Sequence, residues 1–345
     1  MFWKTKDEHL KYLDLMTEFI SSGLSGEGFL VSREENKVHA INHQNKEEFE
    51  FLITKNIEPL TDKDSIKAQV VINFRSQLLD EFMKGCISLA KLDEGKVPEL
   101  LMQMNKTASL GAFYMNQDKV FYGSRLTIYE GDTEEIYSRV YMPLLGFSLA
   151  QMQGAINHLV DVFSDRTTSI ESSLSSWTQN DFDLIKNWLS PHCICTSGPN
   201  GLTAEFNLTL QPNLHSDLKG IKQSLLNHQD TALLSMEAAN HPAFGAGLLA
   251  ILNMPFVFPD KDKLARVCAE LNRLEMYSKI TTKLHLPDSR HHFGAWTEGS
   301  LGHNPCYVCF LPNTLHPYNL GVNVSFWLMG RSQWANLLIQ DLMSH

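Results

Sequence analysis

At 345 residues the chain exceeds what one hydrophobic core usually organises and suits two domains. Its 43% hydrophobic and 20% charged residues are those of a globular protein and exclude a disordered one. A formal net charge of -10 argues against general nucleic-acid binding, which needs a surplus of lysine and arginine to displace phosphate counterions.

The first nine residues, Met1 to His9, lack the uninterrupted apolar core of a signal peptide, so a cytoplasmic location is expected. Leu13, Met16 and Ile20 then form one helix face ahead of Gly28-Phe29-Leu30. Leu79, Phe82, Met83 and Cys86 follow the i, i+3, i+4, i+7 spacing of a second amphipathic helix. After Leu110-Gly111-Ala112-Phe113, a strand is predicted over Val120 to Tyr129. Leu145-Gly146-Phe147-Ser148 opens a helical stretch carrying Met152, Ile156, Leu159 and Val160. Phe182, Ile185 and Leu189 form the next helix face, before Gly201-Leu202-Thr203.

The longest apolar stretch, Ala243 to Phe258, is interrupted by Asn253 and Pro255 and falls short of the roughly 20 residues a membrane helix takes. It is expected to form a pair of buried strands, with no role at a membrane. Leu264, Val267, Cys268 and Leu271 make another helix face, and Phe293-Gly294-Ala295-Trp296 precedes strand-like residues Cys306 to Leu311. Met329-Gly330-Arg331-Ser332 opens a last helix with Trp334, Leu337, Leu338 and Leu342.

These elements recur in order. The helix face starting at Leu79 answers the one starting at Leu264, Leu110-Gly111-Ala112-Phe113 answers Phe293-Gly294-Ala295-Trp296, and Leu145-Gly146 answers Met329-Gly330. The correspondence is clearest between residues 65–165 and 248–345, and the preceding helices extend it. The chain therefore divides into a first α+β repeat over 1–165 and a second over 170–345.

Six cysteines in a cytoplasmic protein should be reduced thiols. His192-Cys193-Ile194-Cys195 and Cys306-Tyr307-Val308-Cys309, the latter with His303 and His316 nearby, could together supply four zinc ligands. If 306–311 is a strand, however, Cys306 and Cys309 point to opposite faces. The favoured reading is buried structural thiols, with no cofactor and no metal. Cys193 or Cys195 with His241 as base is the alternative for nucleophilic chemistry. Nine of the 14 histidines fall between His192 and His316. Gly23-Leu24-Ser25-Gly26-Glu27 fails as a nucleophile elbow because Glu27 stands where glycine is required. Gly95-Lys96 lacks the upstream glycine and following hydroxyl of a P-loop.

The remaining prospect is apolar. Met102, Met104, Phe113, Trp296 and Trp334 are the candidates to line an adaptable groove for a protein or peptide segment. The order helix, Gly-Ala-aromatic strand, second strand and terminal helix over 78–163 and 264–343 resembles type III secretion chaperone-like domains and their bacterial sensory-transduction-regulator relatives. That resemblance implies two small antiparallel sheets packed against helices, joined as an internal pseudo-dimer in a monomeric chain. It also implies a non-enzymatic binding or regulatory role. The runner-up expectation is a metal-dependent or cysteine-based enzyme centred on the second half.

Overall fold

The computed structural model describes residues 7–34, 36–55, 66–90, 96–129, 132–166, 174–208, 231–277, 291–299 and 302–344. The first half begins with α1 (Asp7–Gly26) and four antiparallel strands, β1 (Leu30–Glu34), β2 (Lys37–Asn42), β3 (Glu47–Lys55) and β4 (Ile66–Ser76). Two helices follow, α2 (Gln77–Ala90) and α3 (Val97–Asn105), then the hairpin β5 (Ala112–Asn116) and β6 (Lys119–Tyr129). A short α4 (Glu134–Ile136) and a π-helical turn over Tyr137–Tyr141 lead into α5 (Met142–Phe163).

The second half repeats this order. It runs α6 (Gln179–Leu189), β7 (Ile194–Gly198), β8 (Gly201–Asn207), β9 (Thr231–His241), β10 (Gly245–Asn253), α7 (Lys261–Met276), β11 (Ala295–Glu298), β12 (Pro305–Pro312), a 3-10 turn over Asn313–Tyr318 and α8 (Leu320–Ser344). The two sheets have strand orders β1-β2-β3-β4-β6-β5 and β7-β8-β9-β10-β12-β11. In each, four strands meander and the last hairpin inserts so that its second strand lies beside the fourth. The architecture is α+β with two six-stranded antiparallel sheets, and the shared order is consistent with a doubled unit.

The sequence pattern explains the layers. In β3 and β4, Phe49, Phe51, Val70, Ile72 and Phe74 are buried and alternate along the chain, so one sheet face closes against α1 and α5. In the second sheet Ala204, Leu234, Leu248, Ala250 and Leu252 are fully buried under α6 and α8. The α1 face of Leu13, Met16 and Ile20 and the α6 face of Phe182, Ile185 and Leu189 are buried as their spacing predicts. The stretch from Ala243 to Phe258 forms one strand, β10, and not a pair. Pro255 has no N–H to continue a ladder, and beyond Asn253 the chain leaves the sheet with Val257 exposed.

The structure also shifts one correspondence between the halves. Asn105 on α3 donates to the Phe113 carbonyl (2.9 Å) and accepts the Phe113 N–H (2.7 Å). Asn272 on α7 brackets Trp296 identically, at 2.9 and 2.8 Å. Counting back from these asparagines, α7 residues Leu264, Val267, Cys268 and Leu271 fall level with Val97, Leu100, Leu101 and Met104 of α3. The helix that answers α7 is therefore α3. The face of Leu79, Phe82, Met83 and Cys86 belongs to α2, an additional helix in the first half.

The halves meet through reciprocal contacts. Arg125 on β6 and His292 exchange backbone hydrogen bonds at 3.0 and 2.8 Å. Phe310, at the matching position of β12, receives the same approach from Ser109, whose carbonyl accepts the Phe310 N–H at 3.4 Å and whose hydroxyl donates to the Phe310 carbonyl at 3.3 Å. One patch on each half meets its counterpart on the other, the pattern of a two-fold dimer. Among the described residues no helix is long and apolar enough to cross a membrane.

Candidate binding cleft

The five aromatic and methionine candidates do not line an accessible groove. Met102 and Trp334 are 1% exposed, and Met104, Phe113 and Trp296 are 0% exposed. The Met102 carbonyl accepts the Thr297 hydroxyl at 2.8 Å, so the α3 surface is spent on joining the halves. Phe113 packs on Tyr122 (4.7 Å) and Trp296 on Tyr307 (5.3 Å). Gly111 and Gly294 make these hairpins possible, since a Cβ at either would strike a carbonyl of the facing strand, at 2.8 Å from Gly123 or 2.4 Å from Val308.

Nor do the cysteines converge. The 193–195 pair lies at β7, separated from β12 by β8, β9 and β10, roughly 20 Å at the usual strand spacing. The two groups therefore cannot share one zinc. On β12, Tyr307, Cys309 and Leu311 face the helices, while Cys306, Val308 and Phe310 face the other way. Cys195 is level with Ala204 and Leu234, and His241 lies at the far end of β9, roughly 25 Å away. That distance removes the proposed Cys195–His241 pairing, and neighbouring Cys193 shares its end of the sheet. Burial pushes the Cys195 thiol up to about 11 and Cys306 and Cys309 to about 12, the opposite of an activated thiolate. Among the described residues no three His, Cys, Asp or Glu side chains are grouped to hold a metal. His316 is committed to Asp181 at 3.2 Å.

One buried charged group joins the halves. Glu275 at the end of α7 accepts Arg331 Nε at 2.7 Å and Trp296 Nε1 at 3.2 Å, with Arg125 Nη2 of the first half at 3.9 Å. Burial alone would push this carboxyl up, but the Arg331 guanidinium and Arg125 hold it down at about 2. Arg331 also lies 4.2 Å from the Tyr307 ring centre. His292 is buried beside it and stays neutral, chiefly through desolvation. This cluster is sealed from solvent, with all four charged or titratable residues at most 2% exposed, and is a structural joint.

Among the described residues an accessible concavity lies on the other side of the second sheet, a cleft of about 440 Å³, within the range of small-ligand sites. Its floor is Ala239, Leu249, Ile251, Val308 and Phe310 on β9, β10 and β12; α5 of the first half supplies His158 and Val162 as one wall. Lys106, Thr107 and Ala108 close one end, with Thr297, Glu298 and Cys306 beside them. Its polar groups are largely spent internally. Lys106 pairs with Glu298 at 2.8 Å, Thr297 bonds Met102, and His241 Nδ1 accepts the Ala243 N–H at 3.1 Å.

The His158 and His241 rings meet edge to face at 5.2 Å, and His241 lies 5.1 Å from Phe310. Desolvation lowers both histidines. His241 is brought to about 4 by burial and His158, against the effect of a hydrogen bond to the Thr107 backbone. Both rings are neutral at pH 7.

The arrangement can therefore hold an uncharged body by apolar contact, and burial keeps the Cys306 thiol of its lining protonated. Sequence reasoning missed the cleft, although β12 carried a signal. Its six central residues are apolar on both faces, and a strand covered on only one face alternates apolar with polar. Comparison with protein families, with curated proteins and with solved structures finds no match.

Proposed function

We propose that this chain is a non-enzymatic binding or regulatory protein of the cytoplasm, a doubled chaperone-like domain that acts as its own dimer. It holds a protein segment, one side chain of which enters the cleft between α5 and the second sheet. The single observation that carries this reading is the cleft itself: an open apolar concavity of about 440 Å³ whose walls come from both halves, so that it exists only once the pseudo-dimer has formed. The neighbouring thiols are pushed away from reactivity and the two histidines are neutral, which favours holding over chemistry.

The test is selection of a random displayed peptide library on the full chain, followed by methyl NMR with the selected peptide. The reading expects the Leu249, Ile251 and Val308 methyls to shift. Selected peptides that move only methyls elsewhere would overturn it.

A further inference from the structure

The two halves place the same strands around equivalent spaces, and among the described residues their side chains differ. Trp296 and Phe113 are equivalent by their asparagine brackets, so the next residues, Thr297 and Tyr114, are equivalent too. Their strand partners are Cys306 and Phe121. On the neighbouring strand, Ile251 faces Val308 and Asn73 faces Gly123. Three cleft positions, Thr297, Cys306 and Ile251, thus correspond to Tyr114, Phe121 and Asn73.

In the first half this space is filled with rings. Tyr114 stacks on Phe121 at 5.9 Å, and Tyr277 meets Tyr114 edge-on at 6.0 Å. The Tyr277 hydroxyl lies 3.3 Å from that of Tyr114 and accepts Asn116 Nδ2 at 3.0 Å. Tyr277 arrives there because α7 runs on past Asn272 to Met276, whereas α3 stops at Asn105 and turns away through Lys106. In the second half the two aromatic positions shrink to threonine and cysteine, and among the described residues none delivers a ring as Tyr277 does. The walls that remain are themselves ring-bearing: Phe310, His241 and His158.

We infer that the cleft is a receptor for an aromatic side chain of the bound segment, which takes the place that Tyr277 and its neighbours occupy in the first half. This rests on the reading proposed above. The ring must be uncharged. Lys106 and Glu298 neutralise each other at the rim, and the neighbouring histidines carry no charge to meet an anion. Edge-on and offset contacts with Phe310 and the two imidazoles give a planar ring a geometric preference over an aliphatic body of equal size.

The experiment uses the full chain with methyl labels and titrates toluene, p-cresol and methylcyclohexane. Toluene and p-cresol are expected to shift the Ile251 and Val308 methyls at concentrations at least ~10-fold below those needed for methylcyclohexane, a difference of about 1.4 kcal/mol. The double substitution Thr297→Tyr with Cys306→Phe, which restores the filling of the first half, should abolish the response. Because that change touches buried positions, Val162→Trp is the second variant. Val162 is 41% exposed at the edge of the cleft, so a larger side chain can plug the mouth without entering the core.

An equal response to methylcyclohexane, or none at the cleft methyls, would overturn the inference. Peptide selection separates this from the reading beneath it. Selected segments that need the open cleft but carry no aromatic residue would sink the inference and leave the segment-binding reading intact. Ring probes that bind where no peptide can be selected would assign the ring to a free small molecule and overturn both.

Discussion

Asn105 and Asn272 do the same work in the two halves, each side chain bracketing the backbone of one aromatic residue, Phe113 or Trp296, with two hydrogen bonds between 2.7 and 2.9 Å. Both asparagines are 0% exposed. A buried amide bonded to both backbone groups of one strand residue fixes where the strand lies on the helix, and this device ties the two halves to a common plan.

Asn105→Ala and Asn272→Ala should therefore be similarly destabilising. Each leaves a buried N–H and C=O without its partner, at about 1–3 kcal/mol per group. Urea denaturation of the two variants measures it. A large loss from one and none from the other would contradict the equivalence of α3 and α7.

The hairpin glycines make a graded prediction. Gly111→Ala and Gly294→Ala both press a Cβ onto backbone, at 2.8 and 2.4 Å from the facing carbonyl oxygen. Overpacking of this kind costs about 1–3 kcal/mol, and Gly294→Ala should be the worse, with the lower melting temperature in calorimetry.

Glu275→Ala should rank among the most damaging single changes. It takes the carboxylate away from Arg331 and Arg125 within a sealed interior, and breaking a buried pair from one side costs about 3–5 kcal/mol. Glu275→Gln keeps the hydrogen-bond geometry and should cost less. Thermal melts of the two variants test the order.

Acid should unfold the protein in two stages. His241 is lowered from 6.5 to about 4, buried His292 to about 3, and His158 is lowered as well. A depressed group contributes its full stability above the unfolded value and loses it as pH falls, so the first decline begins below about pH 6.5. Glu275, lowered from 4.5 to about 2, adds a second decline below about 4.5. The groups facing His241 across the cleft are His158 and, at the rim, the Lys106–Glu298 pair. His241→Gln, which remains neutral, should flatten the melting-temperature slope between pH 6.5 and 4. An unchanged slope would place the titration elsewhere.

Much of the secondary structure was legible because single elements carry their own pattern. The faces of α1, α6 and α7, the Gly-Ala-aromatic hairpins and the strand over 306–311 all rest on local spacing. The pairing of α2 with α7 went astray for the same reason. An i, i+3, i+4, i+7 face is common to any amphipathic helix, and only the long-range asparagine bracket distinguishes α3 from α2. Met102, Phe113 and Trp296 read as interface residues because large apolar side chains suit both a core and a groove. What separates the two is cover by another element, here α7 and β11, and no local pattern records it. The cleft depends on an absence, the small residues Thr297 and Cys306 where the first half has Tyr114 and Phe121, and becomes visible only when the halves are aligned in space.

The most direct measurement is the affinity of a selected peptide, by isothermal titration calorimetry, for the full chain and for its Val162→Trp variant. If the cleft holds the segment, the plug at its mouth should weaken binding at least ~10-fold, about 1.4 kcal/mol, with the melting temperature unchanged. Equal affinity for both proteins would contradict the account and place binding on another surface.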